Sequence, residues 1–148
     1  MKTLGEIIRG KSLYVTEVGK SVQEVAAAMA SHNIGALPVL DGSRLAGIFS
    51  ERDLMSRCAA KKLDLAVTKI EEVMTKKVIL MEADDTYDYC LRIMKQRRVR
   101  HIPVREGDKL IGMVSMRDLM QSDAEEKEEE IEVLHSYIHY NPAVAKET

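Results

Sequence analysis

The chain matches itself without a gap when it is shifted by 65 residues. Residues 34–55 read IGALPVLDGSRLAGIFSERDLM and residues 99–120 read VRHIPVREGDKLIGMVSMRDLM, with ten of 22 positions identical. Ordinary composition gives roughly one or two such matches by chance. A unit of about 65 residues is marginal alone, so two related units are expected to bury a shared core.

The register continues upstream, where Glu17 matches Glu82, Ser21 aligns with Thr86 and Met29 matches Met94. Val22, Val25, Ala26 and Met29 lie at i, i+3, i+4 and i+7, as do Tyr87, Cys90, Leu91 and Met94. Both stretches predict amphipathic helices. Ser21 and Glu24 have capping-box spacing. Apolar runs at Leu37–Leu40 and Leu45–Phe49 flank Asp41-Gly42-Ser43-Arg44, and Ile102–Val104 and Leu110–Val114 flank Glu106-Gly107-Asp108. Each set predicts two strands and a tight turn. Strands at Leu13–Thr16 and Val78–Met81, and helices opening at Ser50 and Ser115, complete a β-α-β-β-α unit twice over.

The expected fold is therefore α/β in the broad sense (α+β), with the two repeats packed about a pseudo-twofold axis that leaves clefts between them. Repeat one is expected over 1–68 and repeat two over 69–122, with residues 59–72 connecting the halves. Residues 123–148 are expected to form an acidic linker and a C-terminal amphipathic helix. In detail, 121–130 reads as a solvated acidic stretch. Ile131–Tyr140 reads as a helix with Ile131, Leu134 and Ile138 on one stripe, ended by Asn141-Pro142. That stripe needs its own body or another subunit to pack against.

Charge narrows the function. The net charge of −2 divides into −6 over residues 123–132, which hold seven acids and one base, and +4 elsewhere. A body that mildly positive lacks the strongly basic face of a dedicated nucleic-acid binder. Nothing approaches the roughly 18 apolar residues of a membrane span. The first residues lack the apolar run of a signal peptide. Two cysteines are too few for a disulfide scaffold or a thiolate zinc site. These features point to a soluble protein of the reducing cytoplasm, with neither nucleic acid nor membrane as partner.

The strongest chemical pattern is Gly-x-x-Ser-x-Arg-Asp at a strand-to-helix junction, Gly47 to Asp53 and again Gly112 to Asp118. It has a purely structural explanation. Ser-x-x-Asp opens helices by capping, and the glycine allows close packing or an unusual backbone angle. It also has a functional one. A helix N-terminus and a serine hydroxyl suit a phosphate, arginine is a favoured phosphate partner, and a carboxylate one turn in can accept both hydroxyls of a ribose.

Two β-α-β-β-α units, each with an h-P-V strand and a G-h-h-S-x-x-D junction, resemble cystathionine-β-synthase (CBS) domains. The resemblance covers about residues 5–122 and suggests a stand-alone tandem pair, or Bateman module. It implies binding of an adenosine-containing ligand: AMP first, or ADP, ATP, NAD(H) or S-adenosylmethionine. The ribose-holding role carries to Asp53 and Asp118, and the serine role to Ser50 and Ser115, beside Arg52 and Arg117. The basic residues before the h-P-V strand carry to Arg100 and His101. Repeat one has Gly35 and Ala36 there, so the two sites are expected to differ. Gly35 is compatible with close approach of a ligand to the backbone or with an empty site. The resemblance further implies a homodimer and an unidentified regulated protein. The dimer interface would come from the apolar helices at Asp53–Ala60 and from Asp118 onward, with the C-terminal helix.

Other signals are weaker. Lys95 and Arg97 fit a helix C-terminus on a solvated face. The Lys95–His101 cluster would serve nucleic acid only with a steep salt dependence. His135 and His139 share a helix face without an evident third metal ligand. Cys58 and Cys90 lie on helices without a basic neighbour to activate them. No nucleophile–base pairing, hydrolase elbow or Walker-type loop is present, so an enzyme is not expected. The competing expectation is a dimeric scaffold or adaptor with degenerate pockets.

Overall fold

The computed structural model describes residues 1–139, so the expected stop at Asn141-Pro142 lies outside the described residues. Helix α1 (Leu4–Ile8) precedes strand β1 (Thr16–Glu17), helix α2 (Val22–His32), and strands β2 (Ala36–Asp41) and β3 (Arg44–Ser50). Helix α3 (Glu51–Asp53) continues as a π-helix over Leu54–Ala59. The second half repeats the order with α4 (Ile70–Val73), β4 (Met81–Glu82), α5 (Tyr87–Arg97), β5 (His101–Glu106), β6 (Lys109–Ser115) and α6 (Met116–His139).

Two three-stranded sheets result, β1-β2-β3 and β4-β5-β6, each with one parallel and one antiparallel pairing. The duplication holds residue by residue. Thr16 pairs with Val39 as Met81 pairs with Val104, and both hairpins shift register one step after the h-P-V valine. Gly42 and Gly107 turn the hairpins at φ 63° and 61°, a region that suits glycine.

The expected strands at Leu13–Thr16 and Val78–Met81 are shorter and later than the apolar runs suggest. Only Thr16–Glu17 and Met81–Glu82 pair. Leu13, Tyr14, Val15 and Leu80 are exposed, and this stretch borders the clefts rather than the sheets.

The two short helices carry each half into the other. Leu4 and Ile8 are buried with Met81, Cys90, Met94 and Val104 of repeat two. Ile70, Val73 and Met74 are buried with Val22, Met29, Val39 and Phe49 of repeat one. The Leu4 amide donates to the Asp85 carbonyl at 2.8 Å, and the Ile70 amide to the Lys20 carbonyl at 2.9 Å. This exchange explains the motif glycines. A Cβ on Gly47 would stand 2.6 Å from the Thr75 carbonyl oxygen, and one on Gly112 would stand 2.6 Å from Ile8 Cδ1. They make room for the crossing segments.

The acidic stretch is not a linker. Met116–His139 is one continuous helix. Glutamate is a good helix former, and Lys127 bonds Asp123 one turn back at 3.0 Å. The Tyr87 hydroxyl also donates to Asp123 at 2.9 Å and holds this part of α6 against α5. No helix among the described residues is long and apolar enough to cross a membrane.

Candidate functional site

Both Ser-x-x-Asp junctions fold as capping boxes. The Asp53 amide donates to Ser50 Oγ at 3.3 Å, and the Ser50 amide donates to Asp53 Oδ2 at 3.1 Å. In the second copy the corresponding distances are 3.1 and 2.9 Å. The Glu51 amide donates to the Gly35 carbonyl, and the Met116 amide to the Arg100 carbonyl. Two of the first amides of each helix are thus used internally. A phosphate in either cleft would depend on cationic side chains more than on the helix N-terminus.

Each junction opens into a cleft completed by the other repeat. Asp53 faces a cavity of about 460 Å³, lined also by Ser50 and Arg52 and by Thr75, Lys77, Val78, Ile79, Arg98 and Val99 from beyond the first repeat. Asp118 faces a wider cavity of about 1110 Å³, with Ser115, Arg117, Met113 and Met120 on one side. Lys11, Leu13, Tyr14, Asn33, Ile34 and Ala36 of repeat one form its other side. Gly35, Glu51, Arg100 and His101 line both cavities and form the wall between them.

All ten sequence candidates therefore border a cleft, but not in the expected grouping. Arg100 and His101 were expected to serve the site of their own repeat, with Asp118. They stand in the shared wall and also border Asp53. Arg98 and Lys77 join them on the Asp53 side. Gly35 is crowded by its own protein, since a Cβ there would lie 2.8 Å from Glu51 Oε1 and 3.5 Å from His101 Cε1.

The two carboxylates differ in what already occupies them. Asp53 is 8% exposed at its side chain. Its oxygens accept from the Ser50 amide and hydroxyl, from the Thr75 hydroxyl at 3.1 and 3.3 Å, and face Arg57 Nε at 3.4 Å. Asp118 is 23% exposed and meets the Ser115 amide and Lys11 Nζ, the latter at 2.6 Å. Burial alone would raise the Asp118 carboxyl. Lys11 and Ser115 outweigh it and hold the group below the usual carboxylate range. Burial pushes the His101 imidazole down. Glu51 and Asp118 oppose that shift, Arg100 adds to it, and the result stays below the ordinary histidine value.

Lys11, Tyr14, Thr75, Lys77 and Arg98 were missed. One signal was available: a lysine stands at the matching place in both halves, Lys11 in one and Lys76-Lys77 in the other. Tyr14 stacks on His32 with ring centroids 3.9 Å apart, at the edge of the Asp118 cleft. Cys58 and Cys90 are buried thiols. Burial and then Asp85 push Cys90 up to about 12, while burial and then Asp53 raise Cys58. Among the described residues, no three His, Cys, Asp or Glu side chains group as metal ligands.

A family model of the CBS domain matches the chain twice, over residues 4–60 and 70–125. The mitochondrial CBS domain-containing protein CBSX3 of Arabidopsis thaliana is 32% identical over 143 residues, covering 93% of this chain and 69% of that protein. The solved structure of a CBS-domain protein from Burkholderia ambifaria MC40-6 superposes with a TM-score of 0.78 at 36% identity, over 82% of this chain and 93% of that one. The CBS domain pair of protein MJ0100, solved with 5'-methylthioadenosine and S-adenosylmethionine, superposes with a TM-score of 0.74. It is 25% identical, over 85% of this chain and 98% of that one.

Proposed function

The chain belongs to the CBS domain family, and we propose that it is a regulatory module that binds an adenine nucleotide between its two repeats. The observation that carries this reading is the Asp118 carboxylate. It is ionised, part-exposed, and held from the cleft side by one half-exposed cation, Lys11. A ribose diol can replace that ammonium by donating both hydroxyls to the carboxylate. Lys11 is then released to a phosphate, beside Arg100 and Arg117. Leu13, Tyr14, Met113 and Met120 offer apolar and aromatic surface for the base. AMP is the first candidate, with one phosphate set against three cations. ADP, ATP, NAD(H) and S-adenosylmethionine share the adenosine, and the MJ0100 pair binds ligands of that kind.

Each cleft draws on both repeats, so a bound nucleotide stabilises one relative arrangement of the halves over others. That difference is what a regulated protein would read. The module acts as a homodimer in this reading, supported by the exposed apolar side chains Met55, Met120, Ile131, Leu134 and Ile138. It carries out no chemistry itself. Its two unpaired thiols are compatible with the cytoplasm. Asp53 favours the second reading, a scaffold with degenerate pockets, because its oxygens already meet protein donors.

Calorimetric titration of nucleotide-stripped protein with AMP, ADP, ATP, NAD, NADH and S-adenosylmethionine decides between them. Micromolar binding of one compound, lost in Asp118→Ala, is expected. No heat and no shift in melting temperature with any of the six would leave the scaffold.

A further inference from the structure

The outer half of α6 leaves the body of the protein. Leu119 and Ser122 are buried and anchor its first turns, but from Lys127 to Ile138 every side chain is exposed. The sequence there is nevertheless patterned. Met120, Ala124, Lys127, Ile131, Leu134 and Ile138 follow one another at alternating steps of four and three residues. That is the a/d seam of a two-stranded coiled coil. A helix of about 12 residues is marginal in water by itself, and exposed aliphatic side chains in a row mark a contact surface.

We propose that a second copy of the chain covers this seam, the two α6 helices running antiparallel over residues 127–138. The proposal rests on the homodimer of the preceding reading and fixes where and how the copies meet. Charge selects both occupant and direction. The first part of the projecting helix is acidic, with Glu128, Glu129, Glu130 and Glu132, while residues 133–139 carry no acid and two histidines. Parallel pairing in register would set Glu130 beside the partner's His135, but would also stack Lys127 on its twin in the seam and set Asp123 beside the partner's Glu128, two like-charge contacts against one favourable one. Antiparallel pairing sets each acidic half beside a half without acids. Ile131 then packs on the partner's Leu134, Lys127 lies level with the partner's Ile138, and Glu128 flanks the partner's His135. Because α6 begins at Ser115 and Asp118, the helix that would hold the ribose would also hold the second copy.

Two measurements on the full chain test this. Leu134→Glu is expected to turn a dimer into a monomer in sedimentation at micromolar concentration, raising the dimer dissociation constant roughly tenfold or more. The body should stay folded, its melting temperature falling only by the concentration-dependent amount that the lost dimer contributed. The direction is read by disulfides. Lys127→Cys and Ile138→Cys chains are expected to cross-link to each other when mixed under mild oxidation, but not each to its own kind. Equal positions of antiparallel partners lie about 16 Å apart along the axis, beyond disulfide reach. Cross-linking of either variant with itself would establish parallel pairing and overturn the proposal. A wild-type dimer that survives Leu134→Glu and forms no mixed disulfide would overturn it and leave the homodimer standing. A wild-type monomer would remove both.

Discussion

Asp53 and Asp118 occupy the same step of the duplicated pattern, and the two repeats have put them to different use. Asp53 is almost fully buried and held by Ser50, Thr75 and Arg57. Asp118 keeps solvent access and meets Lys11 across an open cleft. The same Ser-x-Arg-Asp pattern thus gives one carboxylate enclosed by protein donors and one left open to its cleft. The difference lies in what the crossing segment delivers: a hydroxyl from Thr75 in one half, a flexible ammonium from Lys11 in the other.

The largest expected effect separates these roles. Asp118→Ala should weaken AMP binding by at least about tenfold, as expected when a charged hydrogen-bond partner is removed, and should cost only about 1 kcal/mol of stability, that of its own capping bond from the Ser115 amide. Asp53→Ala should do the reverse. It removes a cap and strands the Thr75 and Ser50 donors, at about 3 kcal/mol of stability, while affinity at the Asp118 cleft persists. Calorimetry and urea unfolding on the same two variants check the crossing. Lost binding with unchanged stability in Asp53→Ala would break the comparison.

The motif glycines sharpen it next. An added methyl at Gly47 meets the Thr75 carbonyl and Met74, whereas at Gly112 it meets the end of the Ile8 side chain. Backbone cannot step aside as a δ-methyl can. Gly47→Ala should cost about 2–3 kcal/mol and Gly112→Ala about 1 kcal/mol in urea unfolding. Ile8→Val, which deletes the Cδ1 atom, should recover part of the second loss and none of the first. Equal losses, or no coupling with Ile8, would mean that the crossing segments are not packed as described.

These positions also show where sequence reading stops. The duplication, the two hairpins and helices α2 and α5 are legible because each rests on local periodicity that the shifted alignment doubles, whereas β1 and β4 pair over two residues each, too short for a pattern. Helices α1 and α4 were not, since five and four residues carry no period. Their exchange between halves decides which side chains meet in each cleft. That is why the sequence places Arg100 and His101 with Asp118 alone and does not single out Arg98. The acidic run differs for another reason: a cluster of glutamates reads as solvated chain, whereas their helix propensity and the Tyr87–Asp123 bond carry α6 straight through.

His101 sits in the wall between the clefts and tests them together. Its imidazole is held low, first by burial and then by Arg100, against the pull of Glu51 and Asp118. The fold therefore favours the neutral ring. Its contribution to stability is lost as pH falls below about 6.5, the unfolded value, towards the lower folded one. An anionic ligand reverses the preference and draws a proton onto the ring. NAD, whose pyrophosphate does not titrate there, should bind a few-fold tighter at pH 5.5 than at pH 7.5, with proton uptake seen as buffer-dependent heat. Asp118, held below the usual range, stays ionised throughout. The same slope in His101→Gln would assign the effect elsewhere.

The smallest effect concerns the helix ends. Asn33 and Arg98 close α2 and α5 in the same left-handed conformation, φ 53°, ψ 47° and φ 55°, ψ 41°. Asparagine tolerates that region. An arginine there is strained by about 1 kcal/mol. Such strain persists where the side chain is wanted for another purpose, and Arg98 borders the Asp53 cleft beside Lys77 and Arg100. Arg98→Asn should stabilise the protein by about 0.5–1 kcal/mol in urea unfolding and weaken only those polyphosphate ligands that reach the Asp53 side. AMP binding at Asp118 should not change. The reciprocal Asn33→Arg should destabilise by a similar amount and add a cation to the Asp118 cleft. If Arg98→Asn gains stability without altering any nucleotide titration, the strained arginine serves no ligand, and the Asp53 cleft belongs with its buried carboxylate on the structural side of the comparison.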